Sequence, residues 1–179
     1  ALFTDFDEFV NQEHAVGSGT PLRKALEADR LSSLIVFGPP GTGKTALARI
    51  IARNTSAHFE RLNAVLCGKD DLREVIHRAE EHRDIQNRPT ILFLDEIHRF
   101  NKAQQDALLP SVEDGTLTLV GATTQNPDFY LNNALLSRSI LVEFEPLDME
   151  AVERILDWVL SEPDRGLQGR VELSDRARR

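Results

Sequence analysis

"LIVFGPPGTGKTALARIIA", residues 34 to 52, decides the fold. Its centre runs Gly38, Pro39, Pro40, Gly41, Thr42, Gly43, Lys44, Thr45 and satisfies G-x-x-x-x-G-K-[ST]. Four apolar residues without alternation lead in, as a strand buried on both faces does, and a helical pattern leads out. Glycines let backbone N–H groups wrap a phosphate, and the start of the helix adds its dipole. A plain Gly-Pro turn between strand and helix needs far less than this full pattern. The loop is therefore expected to hold the phosphates of ATP, with Lys44 bridging the β- and γ-phosphates and Thr45 holding Mg²⁺.

The next informative stretch is "ILFLDEIHRF", residues 91 to 100. A buried strand ends there in Asp95 and Glu96. After a phosphate loop, Asp95 is the Mg²⁺-facing acid, and Glu96 can orient an attacking water and accept its proton. The same letters also spell the DExH box of a helicase, but a helicase needs a second motor domain for which this chain has no room. His98 reads as structural rather than catalytic. Two acids merely capping a surface strand is the blander alternative, and the upstream loop argues against it.

Further strand-length apolar runs lie at residues 59–62, 117–120 and 140–144, with helical patterns between them. Leu72, Val75, Ile76 and Ala79 fall on one helix face, and residues 102–113 read as a helix that Pro110 must kink unless it lies near the end. The alternation predicts an α/β three-layer sandwich around a parallel sheet. In "TLTLVGATT", Thr124 would sit at the strand's carboxyl end, where ligands gather, and its hydroxyl could position water. In "NNALLSRS", Asn132 or Asn133 could cap a short segment that Arg138 closes. An arginine there suits a neighbouring subunit's nucleotide, although a surface ion pair is its commoner use. After "EPLD", Asp148 reads as the N-cap of another helix, with Val152, Ile155, Leu156, Val159 and Leu160 on one side. Residues 1–146 are thus expected to form a nucleotide-binding core and 147–179 the beginning of a lid, cut off at a further helix in "SDRARR".

Composition bounds the partners. The 179 residues carry a net charge of −8, so the domain as a whole has no electrostatic footprint for nucleic acid, and DNA contact requires a local patch. Arg99 and Lys102, after Glu96, are the local candidates; a solvated helix start also explains them. The single cysteine, Cys67, excludes an internal disulfide, the histidines lack metal spacing, and no apolar run is long enough for a membrane span. These features suit a cytoplasmic protein.

Together, "LFLDE", "GATTQNP", "LLSRS" and the phosphate loop resemble an AAA+ ATPase of the clamp-loader and Holliday-junction-motor branch. The run "HRFNKAQQDALLP", with "DEFVNQEHAVG" and "LRKALEADRLSSLIVFGPPGTGKT", is similar to the replication-associated recombination protein A family, whose eukaryotic relative is the Werner-helicase-interacting protein. That resemblance implies a five-stranded parallel sheet of order 5-1-4-3-2. It implies Glu96 as the catalytic base, Thr124 as sensor 1 and Arg138 as a finger acting in trans. Backbone around Val10 and Gln12 would pack on adenine, and Asn63 would be a polar switch holding Glu96 away, unless it simply caps a turn. The family has Gly where Asn11 stands and a second Thr where Ala46 stands; Asn tolerates positive φ, and Thr45 keeps the Mg²⁺ ligand. The resemblance further implies DNA substrates (single-stranded, gapped or forked) and single-stranded-DNA-binding protein as a partner. It also implies a bacterial, nucleoid-associated setting and a tetramer or partial ring assembled through a C-terminal region. A lid arginine is expected as well, and Arg176, Arg178 and Arg179 do not match its motif. Two rival readings remain open: a nucleotide-gated scaffold for replication partners, and a clamp-loader subunit or branch-migration motor.

Overall fold

A computed structural model describes residues 5–161, so the expected helix in the tail and Arg176, Arg178 and Arg179 lie outside the described residues. After a 3-10 turn at Phe6–Glu8, the described chain runs through helices α1 (Glu13–Val16) and α2 (Pro21–Glu27), then strand β1 (Ser33–Phe37) and helix α3 (Lys44–Asn54). Strand β2 (His58–Asn63), helix α4 (Lys69–Gln86) and strand β3 (Thr90–Asp95) follow. A 3-10 turn at Ile97–Arg99 leads to helix α5 (Lys102–Glu113) and strand β4 (Leu117–Thr123). Short helices α6 (Pro127–Tyr130) and α7 (Asn133–Leu136), strand β5 (Ser139–Glu143) and helix α8 (Met149–Ser161) close the described residues.

All strand pairs are parallel, in the order β2-β3-β4-β1-β5, which is the expected 5-1-4-3-2 order counted from the other edge. The unalternating runs have a simple cause. Leu34, Val36, Ile91 and Phe93 face a core with Leu47, Ile50 and Ile51 of α3. Ile35, Leu92 and Leu94 point the other way, into a core with Leu72, Val75 and Leu108 of α4 and α5. Successive strand residues alternate faces, so a sheet covered twice must be apolar at every position. Each such side chain contributes about 1.5–3 kcal/mol by leaving water.

Two local features have physical reasons. Strand β4 runs beyond its apolar stretch through Gly121 and Ala122 to Thr123, so that Thr124 follows its carboxyl end as expected. A Cβ on Gly121 would stand 2.7 Å from Ile35 and 2.9 Å from Ile97, so the missing side chain lets the 3-10 turn seat against the sheet. Helix α5 continues through Pro110 to Glu113. Pro110 is exposed, and Asp106, whose carbonyl loses its helical donor, is exposed as well, so water can serve it. Asp148 caps α8 as expected: its carboxylate accepts from the Ala151 amide at 2.7 Å. Among the described residues no helix is long and apolar enough to cross a membrane.

Candidate nucleotide site

The parallel registers align the carboxyl ends of the strands. Asn63 pairs with Asp95, Asp95 with Ala122, and Phe37 with both Thr123 and Glu143. Along this rim opens a cleft of about 380 Å³, lined by Pro40, Gly41, Gly43, Lys44, Thr45, Ala46, Asp95, Glu96 and Thr124. Residues far apart in sequence thus converge where a triphosphate would need them.

Loop geometry explains the cleft. Gly38 has φ 146°, and a Cβ there would meet the Phe144 carbonyl oxygen at 2.1 Å, so only glycine lets the loop leave β1 this close to the end of β5. Thr42 is buried, and its hydroxyl donates to the Pro39 carbonyl at 2.9 Å, closing the turn from inside. Gly43, left-handed, starts α3 and leaves the first amides of that helix facing the cleft. The Lys44 ammonium donates to the carbonyls of Gly38 and Pro39 at 2.7 and 2.6 Å. Burial pulls its pKa below the usual lysine range, while the Glu96 and Asp95 carboxylates pull the other way.

Asp95 ends β3, and its carboxylate lies 3.4 Å from Arg61 on neighbouring β2. Glu96 adopts a left-handed conformation, φ 55°, at the start of the 3-10 turn, which swings its side chain off the strand line. Next to it His98 is almost covered: its Nδ1 is 2.9 Å from the Thr123 hydroxyl and 3.5 Å from a Glu96 oxygen. Burial lowers the imidazole's pKa; Glu96 opposes this and Arg99 adds to it.

The other expected residues divide into two groups. Val10 lines a shallow pocket with Ile155 and Trp158 of α8. Asn11 takes the positive φ of 61° that glycine would supply and donates to the Pro146 carbonyl at 2.8 Å. The Gln12 side chain is fully buried, donating to the Glu145 carbonyl at 2.8 Å and accepting from the Glu145 amide at 3.0 Å. It is occupied as a clamp, so only backbone is left there for a base. Asn63 accepts from the Val65 amide at 2.9 Å, capping a turn.

Arg138 stands apart from the cleft. It precedes β5, near the amino ends of β1 and β4, in a pocket with Ser32, Ser33 and Thr118. Its guanidinium meets Glu113 at 2.7 Å and the Ala134 carbonyl at 2.9 Å, and Asn132 caps the α7 segment before it. From the amino rim it cannot serve its own cleft. Arg99 and Lys102 are exposed on either side of the Asn101 cap of α5. The sequence reading passed over Arg61 and Thr123. Both lie on strands legible in the sequence, but only the β2–β3 register brings Arg61 beside Asp95, and only the fold brings the Thr123 hydroxyl to His98.

A family model described as the ATPase family associated with various cellular activities (AAA) matches residues 34–145. The chain is 50% identical over 164 residues to the replication-associated recombination protein A of Haemophilus influenzae, covering 92% of this chain and 36% of that protein. It is 49% identical over 173 residues to the protein of the same name from Escherichia coli K12, covering 96% of this chain and 38% of that one. The chain thus spans little more than a third of the length of these relatives. Its fold is also similar to the RuvB Holliday junction branch migration motor of Thermotoga maritima, with TM-score 0.71 and 29% identity, covering 89% of this chain and 53% of that one.

Proposed function

The chain belongs to the AAA ATPase family, and from that membership we propose an ATP-hydrolysing motor domain that acts on DNA during replication-fork maintenance, recombination and repair. The observation that carries the ATPase reading is the meeting of Lys44, Thr45, Asp95, Glu96 and Thr124 in one cleft. The loop amides and Lys44 bind the phosphates of ATP. Thr45 and Asp95, a hydroxyl and a carboxylate on the same cleft, are a hard-oxygen pair suited to Mg²⁺, which would neutralise charge on the phosphates. Glu96 orients the attacking water and takes its proton, while the Thr124 hydroxyl holds that water in line. Arg138, turned away from its own cleft, acts on a neighbouring subunit's nucleotide in a ring or partial ring. Residues 147–161 belong to a lid over the base, which would sit by the pocket that Val10 and Ile155 line together.

DNA enters this reading through the relatives named for replication-associated recombination. Identity near 50% to them, against 29% to the branch-migration motor, favours fork and gap substrates over four-way junctions. Arg99 and Lys102 are the proposed phosphate contacts, so affinity should fall with salt and further when both charges are reversed. The decisive experiment measures ATP turnover by the full-length protein with single-stranded, gapped, forked and junction DNA. Stimulation by gaps or forks is expected. Turnover indifferent to all of them removes DNA from the proposal, and preference for junctions favours the branch-migration alternative.

A further inference from the structure

We infer that His98 is the positioning residue for Glu96, tying that glutamate to the end of the strand from which Thr124 emerges. The inference rests on the reading of Glu96 as the group that activates water. His98 lies on the 3-10 turn Ile97–Arg99, which Gly121 admits against the sheet, and the imidazole is turned back over the end of β4. Its side chain is 8% exposed, against 34% for Glu96, so the ring is a fixed internal part beside a more open carboxylate. Tyr130 packs edge-on at 5.7 Å between ring centres and limits its rotation.

One nitrogen faces both partners: Nδ1 is 2.9 Å from the Thr123 hydroxyl and 3.5 Å from Glu96 Oε2. A neutral imidazole has one donor and one acceptor nitrogen, and a carboxylate only accepts, so the Glu96 charge favours the proton on Nδ1. The Thr123 hydroxyl can take that hydrogen bond, because its own proton has the Gln125 carbonyl at 3.4 Å. It also accepts from the Gln125 amide at 3.0 Å, which fixes it to the loop after β4. The N–H therefore rests on Thr123, and Glu96 lies just beyond hydrogen-bond length. A relative shift of about 0.5 Å brings Glu96 within reach of the same donor. Movement of the β4 end, where Thr124 meets the cleft, thereby sets where the Glu96 carboxylate points.

The test uses the full-length protein and His98→Asn, His98→Gln and His98→Leu. An Asn amide nitrogen can occupy the Nδ1 position, whereas a Gln amide reaches towards Nε2. His98→Leu and His98→Gln are expected to lower kcat by about 10–100-fold, the range for a residue that orients a reacting group through one contact. KM and the dissociation constant for ATP should stay within about twofold, and His98→Asn should recover most of the lost rate. Thr123→Val, nearly isosteric, should reproduce the loss and guards against a folding defect in the His98 variants. In a Glu96→Gln background, His98→Leu should cost nothing more. An active wild type with equally active His98→Leu, or a His98→Asn no better than His98→Leu, overturns the inference alone. A wild type that binds ATP without turning it over overturns the hydrolase reading and this inference with it.

Discussion

At the carboxyl rim of the sheet, a cleft of about 380 Å³ gathers an ammonium, two carboxylates and two threonine hydroxyls from three separate loops. At the amino rim, a larger pocket of about 520 Å³ is lined by Leu31, Ser32, Ser33, Val112 and Leu117, and its cation, Arg138, already holds Glu113. Size does not mark the chemical site. Parallel strands all deliver their following loops to one end, so unlike groups accumulate there, while the other end receives the loops that enter the strands. The amino rim can enter the reaction only by presenting Arg138 to another molecule. In the proposed function one rim holds the nucleotide and the other offers a charge to a neighbour.

The sharpest way to break this division is to remove the contribution of the amino rim. In the assembled protein Arg138→Ala should lower kcat by about 10³-fold or more, the scale of arginine fingers acting on phosphoryl transfer. Nucleotide affinity should be retained, and mixing with Lys44→Ala subunits should restore turnover where an intact finger meets an intact loop. Absence of recovery at every mixing ratio would return Arg138 to the role of a surface ion pair. Glu96→Gln, on the opposite rim, should cost about 10²–10⁴-fold in kcat with ATP still bound, measured by single-turnover hydrolysis and fluorescent-nucleotide titration.

Smaller effects probe how the carboxyl rim is held. Gln12→Leu removes both hydrogen bonds to the Glu145 backbone, so it should cost about 1–3 kcal/mol of unfolding free energy in denaturant titrations. It should also weaken ATP binding more than any surface change, because the Gln12 clamp ties the segment carrying Val10 to the chain entering α8. Asp148→Ala removes the α8 cap and should cost about 1 kcal/mol, read from the same titrations. If Gln12→Leu instead left ATP affinity unchanged, the Val10 segment would not belong to the nucleotide site.

How much of this was legible beforehand can be traced residue by residue. The phosphate loop, the buried strands and the acids of Asp95 and Glu96 are local signals, because glycine placement, apolar runs and capping depend on near neighbours. Asn11 illustrates the same point: its tolerance of positive φ was readable, and it takes φ 61°. The sheet order came from family resemblance rather than from periodicity, which is blind to which strand lies beside which. Gln12 was expected to lend backbone to adenine; that its side chain bonds Glu145, 133 positions away, was beyond any local pattern. Asn63 carried two readings, and its bond to the Val65 amide engages it as a turn cap.

The sequence by itself determined the central strands, the longer helices and the candidate phosphate-binding groups, since these rest on contacts within a few residues. Only the tertiary structure decided that one nitrogen of His98 bonds Thr123 and faces Glu96, that Arg61 stands beside Asp95, and that Arg138 faces away from its own cleft. Those relations depend on strand register and on which rim a loop reaches. Both follow from packing two cores against one sheet, which no local pattern encodes.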